Sequence, residues 1–445
     1  MSIPIDNEMT RRTATTVTFD FQEHKLSNGL LILALRDTSL PVVSFQMHFA
    51  AGSRNERPGI TGISHLFEHM MFRGSKELGP EEFSKIIQAN GGHTNAFTTT
   101  DNTSYYENLP ATNLELAIRL EAERLENLRI TEENLTTERE VVRSERKYRT
   151  VNSPFGLVME QLFATAFTMH PYRWPVVGWD QDLRELTLQD CLEYYRKHYA
   201  PNRAVAVIVG DVKPDHGFTL VEKHFGHLPS QPEPAPIRAG ELPQRGERRT
   251  VLKKVAQTSA LFAGFHIPGI AENDIFPLLV LASVLSSGRS ARFYRAFIKT
   301  GRAVEAEADL GSPPFLSMDP GLLVISVAAS PGVNMNTLEK DVWKETDALK
   351  THPIEVDELE KSKKKLRSSF LMSLQTHFYK GIVAGVYRIR TGDHRWINRI
   401  ESAYQAVKAE HIKEVAQRYF DEDNRSVVHL VPVSPQEVGK WGDYE

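Results

Sequence analysis

Two histidines and a glutamate fall within five residues at His65-Leu66-Phe67-Glu68-His69, a spacing that can assemble a hydrolytic metal site. At about 100° per residue, His65 and His69 lie one above the other on a helix face, and Glu68 falls about 60° to the side of His65. Neutral imidazoles are good ligands for zinc, and a carboxylate beside the open coordination position can take a proton from the attacking water. A bare pattern of this kind arises by chance in roughly three of a hundred chains of this size and composition, so the flanking residues decide. Leu66, Phe67, Met70, Met71 and Phe72 make the helix largely buried. Two imidazoles and a carboxylate in so apolar a segment are costly without a partner, and a metal ion supplies one. On this reading His65 and His69 are metal ligands, one Zn2+ is bound per chain, and Glu68 is the general base.

A catalytic zinc takes a third protein ligand from another rigid element. The segment TEENLTTEREVVRSERKYR (131–149) predicts a long polar helix capped by Thr131, with Glu138 and Glu145 seven residues apart on one face. Spacing leaves Glu138, Glu140 and Glu145 open as the third ligand.

The elements that must hold these groups are also visible. Gly59-Ile60-Thr61-Gly62 with Ser64 provides a start for the histidine helix. The stretch GHTNAFTTTDNTSYYENL, rich in Thr, Phe and Tyr, alternates toward a strand, and a strand near a metal site could be a sheet edge to which an extended peptide adds. His93 follows two glycines and is expected in a loop.

The order H-x-x-E-H is the inverzincin signature. Together with the runs Asn28–Ser75, Gly91–Pro110 and Glu138–Glu145, it resembles the pitrilysin, insulysin and mitochondrial processing peptidase family, in its short bacterial branch. The resemblance covers nearly the whole chain. It implies a zinc metalloendopeptidase in which Glu145 is the third metal ligand, Glu138 supports a ligand from behind, and Asn95, Ala96, Phe97 and Thr98 form the substrate-binding edge strand. It also implies half of a clam-shell whose chamber is closed by a second family chain, the half facing the zinc supplying an arginine and a tyrosine. The turn Gly288-Arg289-Ser290-Ala291-Arg292-Phe293 offers Arg292 as that arginine, while Gly301-Arg302-Ala303-Val304-Glu305-Ala306 has no tyrosine where one is expected. A homodimer would therefore carry an incomplete pair, and a non-catalytic paralogue with both residues is the expected partner.

At 445 residues the chain exceeds a single core and predicts two domains of roughly 200 residues. The net charge of −4 offers no basic stripe for nucleic acid. The single cysteine, Cys191, excludes an internal disulfide framework and is expected to pack in a core. No apolar run is long enough for a membrane span, and the amino terminus has no apolar signal core, so a cytoplasmic protein is expected, or a periplasmic one if a leader has been removed.

A boundary is predicted at 229–249, where the stretch Leu228–Arg249 holds five prolines and little apolar periodicity. It divides a catalytic domain (1–228) from a second domain (250–445). The two parts repeat one pattern. A helix leads through Asn202-Arg203 into AVAVIVG, and another leads through Asn424-Arg425, 222 residues later, into SVVHLVP; SFQMHFAA likewise has a counterpart in SALFAGF. The expected fold is a duplicated α+β unit, each copy an antiparallel sheet with helices packed on one face. The second copy's equivalent helix, within Leu278–Phe293, has no histidine and no carboxylate, so catalysis is assigned to the first half. His266, His377, His394 and His429 stand singly and are read as ordinary polar or core residues. Two functional classes follow: a zinc endopeptidase acting on peptides or unfolded segments, and a non-catalytic scaffold or core subunit of the same fold.

Overall fold

A computed structural model describes residues 17–238 and 240–438. Two sheets organise the chain. The first contains β1 (Gln22–Lys25), β2 (Leu31–Arg36), β3 (Val42–Phe49), β4 (His93–Thr98), β5 (Thr103–Pro110) and β6 (Ala204–Gly210), in the order β1-β2-β6-β3-β5-β4. The second contains β7 (Arg248–Lys254), β8 (Ala260–Ile267), β9 (Ala303–Asp309), β10 (Gly321–Ala329) and β11 (Arg425–Pro432), in the order β7-β11-β8-β10-β9. Removing β1 makes the two orders superimposable strand for strand, with β6 answering to β11, β3 to β8 and β4 to β9. This is the duplicated α+β architecture expected from the repeated strands. Each sheet also carries one parallel pair, β2 with β6 and β7 with β11, where purely antiparallel sheets were expected. Alternation of apolar residues sets which face a strand buries but not its direction, so the parallel pairs are invisible in the sequence pattern.

Helices cover both faces of each sheet rather than one. AVAVIVG in β6 is buried at every position, as a strand sandwiched between two layers must be. Ala206 and Ile208 point into a core shared with Leu66, Phe67 and Met70, whereas Val205, Val207 and Val209 point into a core shared with the second half. The second layer is exchanged between the halves. The His377–Thr391 helix from the C-terminal half lies on β3 and β6, and the Pro154–Ala166 helix from the N-terminal half lies on β7, β8 and β11. Close contact on β3 depends on glycine: a Cβ at Gly381 or Gly385 would come within 2.6 Å of the Gln46 side chain or 2.3 Å of the His48 ring.

The exchange is pinned by a buried polar cluster at the β4–β5 turn. Arg390, on the exchanged helix, donates to Asn102 Oδ1 (3.0 Å) and Thr99 Oγ1 (2.9 Å) and lies 3.6 Å from Asp101. Tyr172 donates to the other oxygen of Asp101 at 2.6 Å. Residues 229–238 and 240–247 form neither helix nor strand, and β7 starts at Arg248, inside the expected linker. Cys191 is buried on the Leu188–His198 helix. Among the described residues, no helix is long and apolar enough to cross a membrane.

Candidate metal centre

The first candidate ligand element is α1 (Ile63–Met70). Its entry is set by Gly62 in the left-handed region (φ 90°), where a Cβ would come 2.6 Å from the Val177 carbonyl. The amides of its first turn are received by a carboxylate: Gly62 N and Ser64 N donate to the two oxygens of Glu56, each at 2.9 Å. This side chain does from outside the helix what a capping residue does from within it. Burial pushes the Glu56 carboxyl up to about 8, against the pull of those amides. Leu66, Phe67 and Met70 face the core, with Phe67 stacked on Tyr194 and Tyr195. The opposite face of α1 presents His65, Glu68 and His69.

Downstream, α2 (Glu82–Ala89) and α3 (Leu114–Asn127) lead to the second candidate ligand element, α4 (Glu132–Arg146). As expected, α4 is capped by Thr131, whose side chain accepts from Asn134 N. The helix ends three residues earlier than the polar run and passes into a π-helical turn, Lys147–Val151. Such turns reorient side chains within a helical run. Here the turn carries Arg149, which pairs with Glu145 Oε1 at 2.7 Å. Arg146 makes a two-pronged pair with Glu160 (2.7 and 2.9 Å), tying the end of α4 to the exchanged Pro154–Ala166 helix.

These two helices bring three ligand atoms together. Glu145 Oε2 stands 3.6 Å from His65 Nε2 and 3.4 Å from His69 Nε2, and among the described residues His65, His69 and Glu145 form the one cluster able to hold a metal ion. A tetrahedral ion with bonds of about 2.0–2.1 Å has ligand-to-ligand edges of about 3.3–3.4 Å, so the donor set fits zinc in both type and spacing. Behind it, His69 Nδ1 lies 3.3 Å from Glu138 Oε2, and Glu138 Oε1 lies 2.5 Å from Arg73 Nε. Of the three acids left open by spacing, Glu145 is in the cluster, Glu138 is behind it, and Glu140 points away to pair with Arg143.

The electrostatics separate the two imidazoles. Burial, reinforced by the His69 charge, lowers His65 to about 4. Burial acts the same way on His69, but hydrogen bonds to Glu138 and Glu145 outweigh it and raise His69 to about 9. Glu68 is raised by burial, with a hydrogen bond from Thr98 opposing the shift.

Thr98 belongs to the sheet edge that borders the site. β4 pairs only with β5 and is the last strand of its sheet, so its outer edge carries no strand partner among the described residues. Asn95, Ala96, Phe97 and Thr98 line a cleft of ≈ 530 Å3 together with His65, Glu68, His69, Glu145 and Arg149. His93, expected in a loop, is the first residue of β4, because its pairing with Asn108 begins immediately after the two glycines. Arg292 does not reach this cleft within the chain; it is held by Glu358, at 3.1 and 2.8 Å.

Of the histidines that stand singly, His266 lies 3.0 Å from the Ala166 carbonyl and His429 lies 2.8 Å from Glu339. Sequence reasoning passed over Glu56, Arg73 and Arg149. Arg149 had a signal, since it follows Glu145 by four residues on one helical run. Glu56 had none, because it precedes α1 by a turn whose path no periodicity reveals.

Comparison with known proteins places this geometry among relatives. A family model described as insulinase (peptidase family M16) matches residues 31–178, and one described as the peptidase M16 inactive domain matches residues 185–366. The zinc protease PqqE of Helicobacter pylori is 29% identical over 92% of this chain and 92% of its own length. The crystal structure of a protease from Helicobacter pylori has a TM-score of 0.88 at 28% identity, covering 93% of this chain and all of that one. A chain of Complex III2 from Candida albicans shares the fold alone, with a TM-score of 0.78 at 16% identity over 92% of this chain and 95% of that one.

Proposed function

Since the chain belongs to peptidase family M16, we propose that it is a zinc metalloendopeptidase that hydrolyses peptides or unfolded protein segments, with His65, His69 and Glu145 as ligands and Glu68 as general base. The observation that carries this reading is the placement of one Glu145 oxygen at tetrahedral-edge distance from both Nε2 atoms. Bound zinc supplies Lewis acidity to a water molecule and to the scissile carbonyl.

The chain's own residues do the rest. Glu68, at the side of the ligand pair, takes the proton of the attacking water and returns it to the leaving amine. Thr98 lines the same cleft as Glu68, so the base faces the peptide-binding edge of β4. An extended substrate adds to the free edge of β4 through backbone hydrogen bonds, with Asn95–Thr98 opposite the bond to be cut. Glu138, itself held by Arg73, orients the His69 ring so that Nε2 faces the metal.

Arg292, held by Glu358, would face a zinc site only in a second copy of this chain. Over this zinc, a non-catalytic paralogue that supplies both an arginine and the missing tyrosine completes the chamber.

The test is metal analysis of the purified chain followed by cleavage of an unstructured peptide with and without a chelator. About one zinc per chain and chelator-sensitive cleavage are expected. Zinc-loaded protein that leaves peptides intact, alone and with a paralogue, would instead assign the chain to the scaffold class.

A further inference from the structure

A second polar cavity, of ≈ 150 Å3, lies between the end of the Leu188–His198 helix and the segment 234–237 of the connection between the two sheets. Its walls include Arg54, Lys197, His198 and Arg203. His198 is 2% exposed, yet among the described residues neither of its ring nitrogens has a hydrogen-bond partner; its ring packs on that of Tyr194, with 4.4 Å between the centroids. The Nε of Arg203 is likewise buried without a partner. Leaving several donors unmet in one buried place is costly, and a cavity of this size holds several waters or one small polyatomic ion.

The duplicated fold contains its own reference for this place. The Leu188–His198 helix leads through Arg203 into β6 as the Ala409–Tyr419 helix leads through Asn424 into β11, so Tyr419 answers to His198 and Arg425 to Arg203. In the second copy Tyr419 ends the helix in the place of His198 and donates to Asp274 at 2.7 Å, and Arg425 is bound by Glu247 while lying 4.2 Å over the Trp343 ring. The same backbone setting is therefore closed and satisfied there, and open and polar here.

The charges select an anion. Arg54 is answered by Asp319 and Asp101, but Arg203 has only the exposed Glu233 of the connecting segment, and exposed Lys197 has no acidic partner among the described residues. Burial pushes the His198 ring down to about 3, and the charges of Lys197 and Arg203 push the same way, so the imidazole is neutral and offers one N–H. The cavity is also preformed. Asn202 accepts from Gln231 N (3.0 Å) and donates to its carbonyl (2.8 Å), fixing the connecting segment across the opening.

We infer that this cavity binds a small tetrahedral oxyanion of the phosphate and sulfate class, held by Arg203 Nε, His198 and Lys197. The carboxyl end of the helix opposes the ligand, so binding is weak, in the millimolar class. The ion would cross-link the connecting segment to the first half and stiffen the joint between the two sheets, at a place separate from the metal cleft.

The test is thermal unfolding of the full zinc-loaded chain at constant ionic strength, titrated with inorganic phosphate, sulfate, acetate or chloride. Phosphate and sulfate should each raise Tm by about 1.5 °C at ten times their dissociation constant, and acetate and chloride should not. Sulfate serves as the probe with little tendency to ligate zinc. The variant His198→Phe, which removes the ring N–H and keeps an aromatic ring against Tyr194, should fold and lose the shift, and the surface variant Lys197→Gln should reduce the apparent affinity several-fold. A cavity that holds water only would show no difference between sulfate and chloride in the wild type and would overturn the inference. A shift unchanged in both variants would overturn it equally, by placing the anion elsewhere.

Discussion

His69 Nδ1 lies 3.3 Å from Glu138 Oε2, a carboxylate that is 1% exposed and answered on its other side by Arg73. The contact fixes which nitrogen of His69 is free to face the Glu145 oxygen, so the ring enters the cluster already oriented. Replacing Glu138 by Gln keeps the shape and removes the charge. Zinc affinity, measured by competition with a chromophoric chelator, is expected to fall about 10- to 100-fold. An affinity equal to wild type would show that Glu138 does not support the ligand.

Glu56 links pH to the stability of the ligand helix. Its pKa is raised to about 8 in the fold, by burial first, from an ordinary value of 4.5. A carboxyl raised on folding binds its proton more tightly in the native state, so its stabilising contribution is complete below the unfolded value and is lost as pH rises through about 8. Between pH 6 and pH 9 the wild type should lose about 3 kcal/mol relative to Glu56→Gln, which cannot titrate. Urea unfolding of both proteins at the two pH values measures this. Parallel losses in the two would remove Glu56 as the cause.

The exposed edge of β4 predicts that substrate is held by its backbone. N-methylation of a substrate amide next to the scissile bond should raise KM sharply, by roughly tenfold for each hydrogen bond lost at about 1–1.5 kcal/mol. Side-chain changes at the same positions should have smaller effects. A complete N-methyl scan with unchanged kinetics would rule out strand addition.

Much of this arrangement is legible in the sequence, and the rest is missing for identifiable reasons. His65, Glu68 and His69 are close in the chain, so helical periodicity alone puts them on one face. Strands β6 and β11 announce themselves as apolar runs with matching Asn-Arg approaches. Glu145 is different, because spacing within one helix cannot say which of three acids turns toward another helix. The exchange of the Pro154–Ala166 and His377–Thr391 helices is hidden for a similar reason: an apolar face records that a helix is buried, not which sheet it covers. The full burial of AVAVIVG is the trace of that exchange, since a strand with one wet face would alternate. Arg390 and Asp101, 289 residues apart, meet only because of it.

The Arg292–Glu358 pair bears on the partner. With no tyrosine in 301–306, the chain alone should be a weak peptidase. One missing oxyanion donor is typically worth about 3 kcal/mol in the transition state, so adding a paralogue that carries both residues should raise kcat/KM by roughly 10²-fold or more. Mass spectrometry of the active fraction identifies the chains present. Full activity from this chain with no second polypeptide would contradict the heterodimer and favour a self-sufficient homodimer.

The central claim is that Glu68 works on water while His65, His69 and Glu145 hold the metal, and Glu68→Gln separates the two roles in one measurement. Zinc content and single-turnover cleavage of an unstructured peptide are determined on the same preparation, alongside wild type. Zinc per chain should be unchanged while the cleavage rate falls by roughly 10²-fold or more. Cleavage at the wild-type rate by zinc-loaded Glu68→Gln would contradict the account.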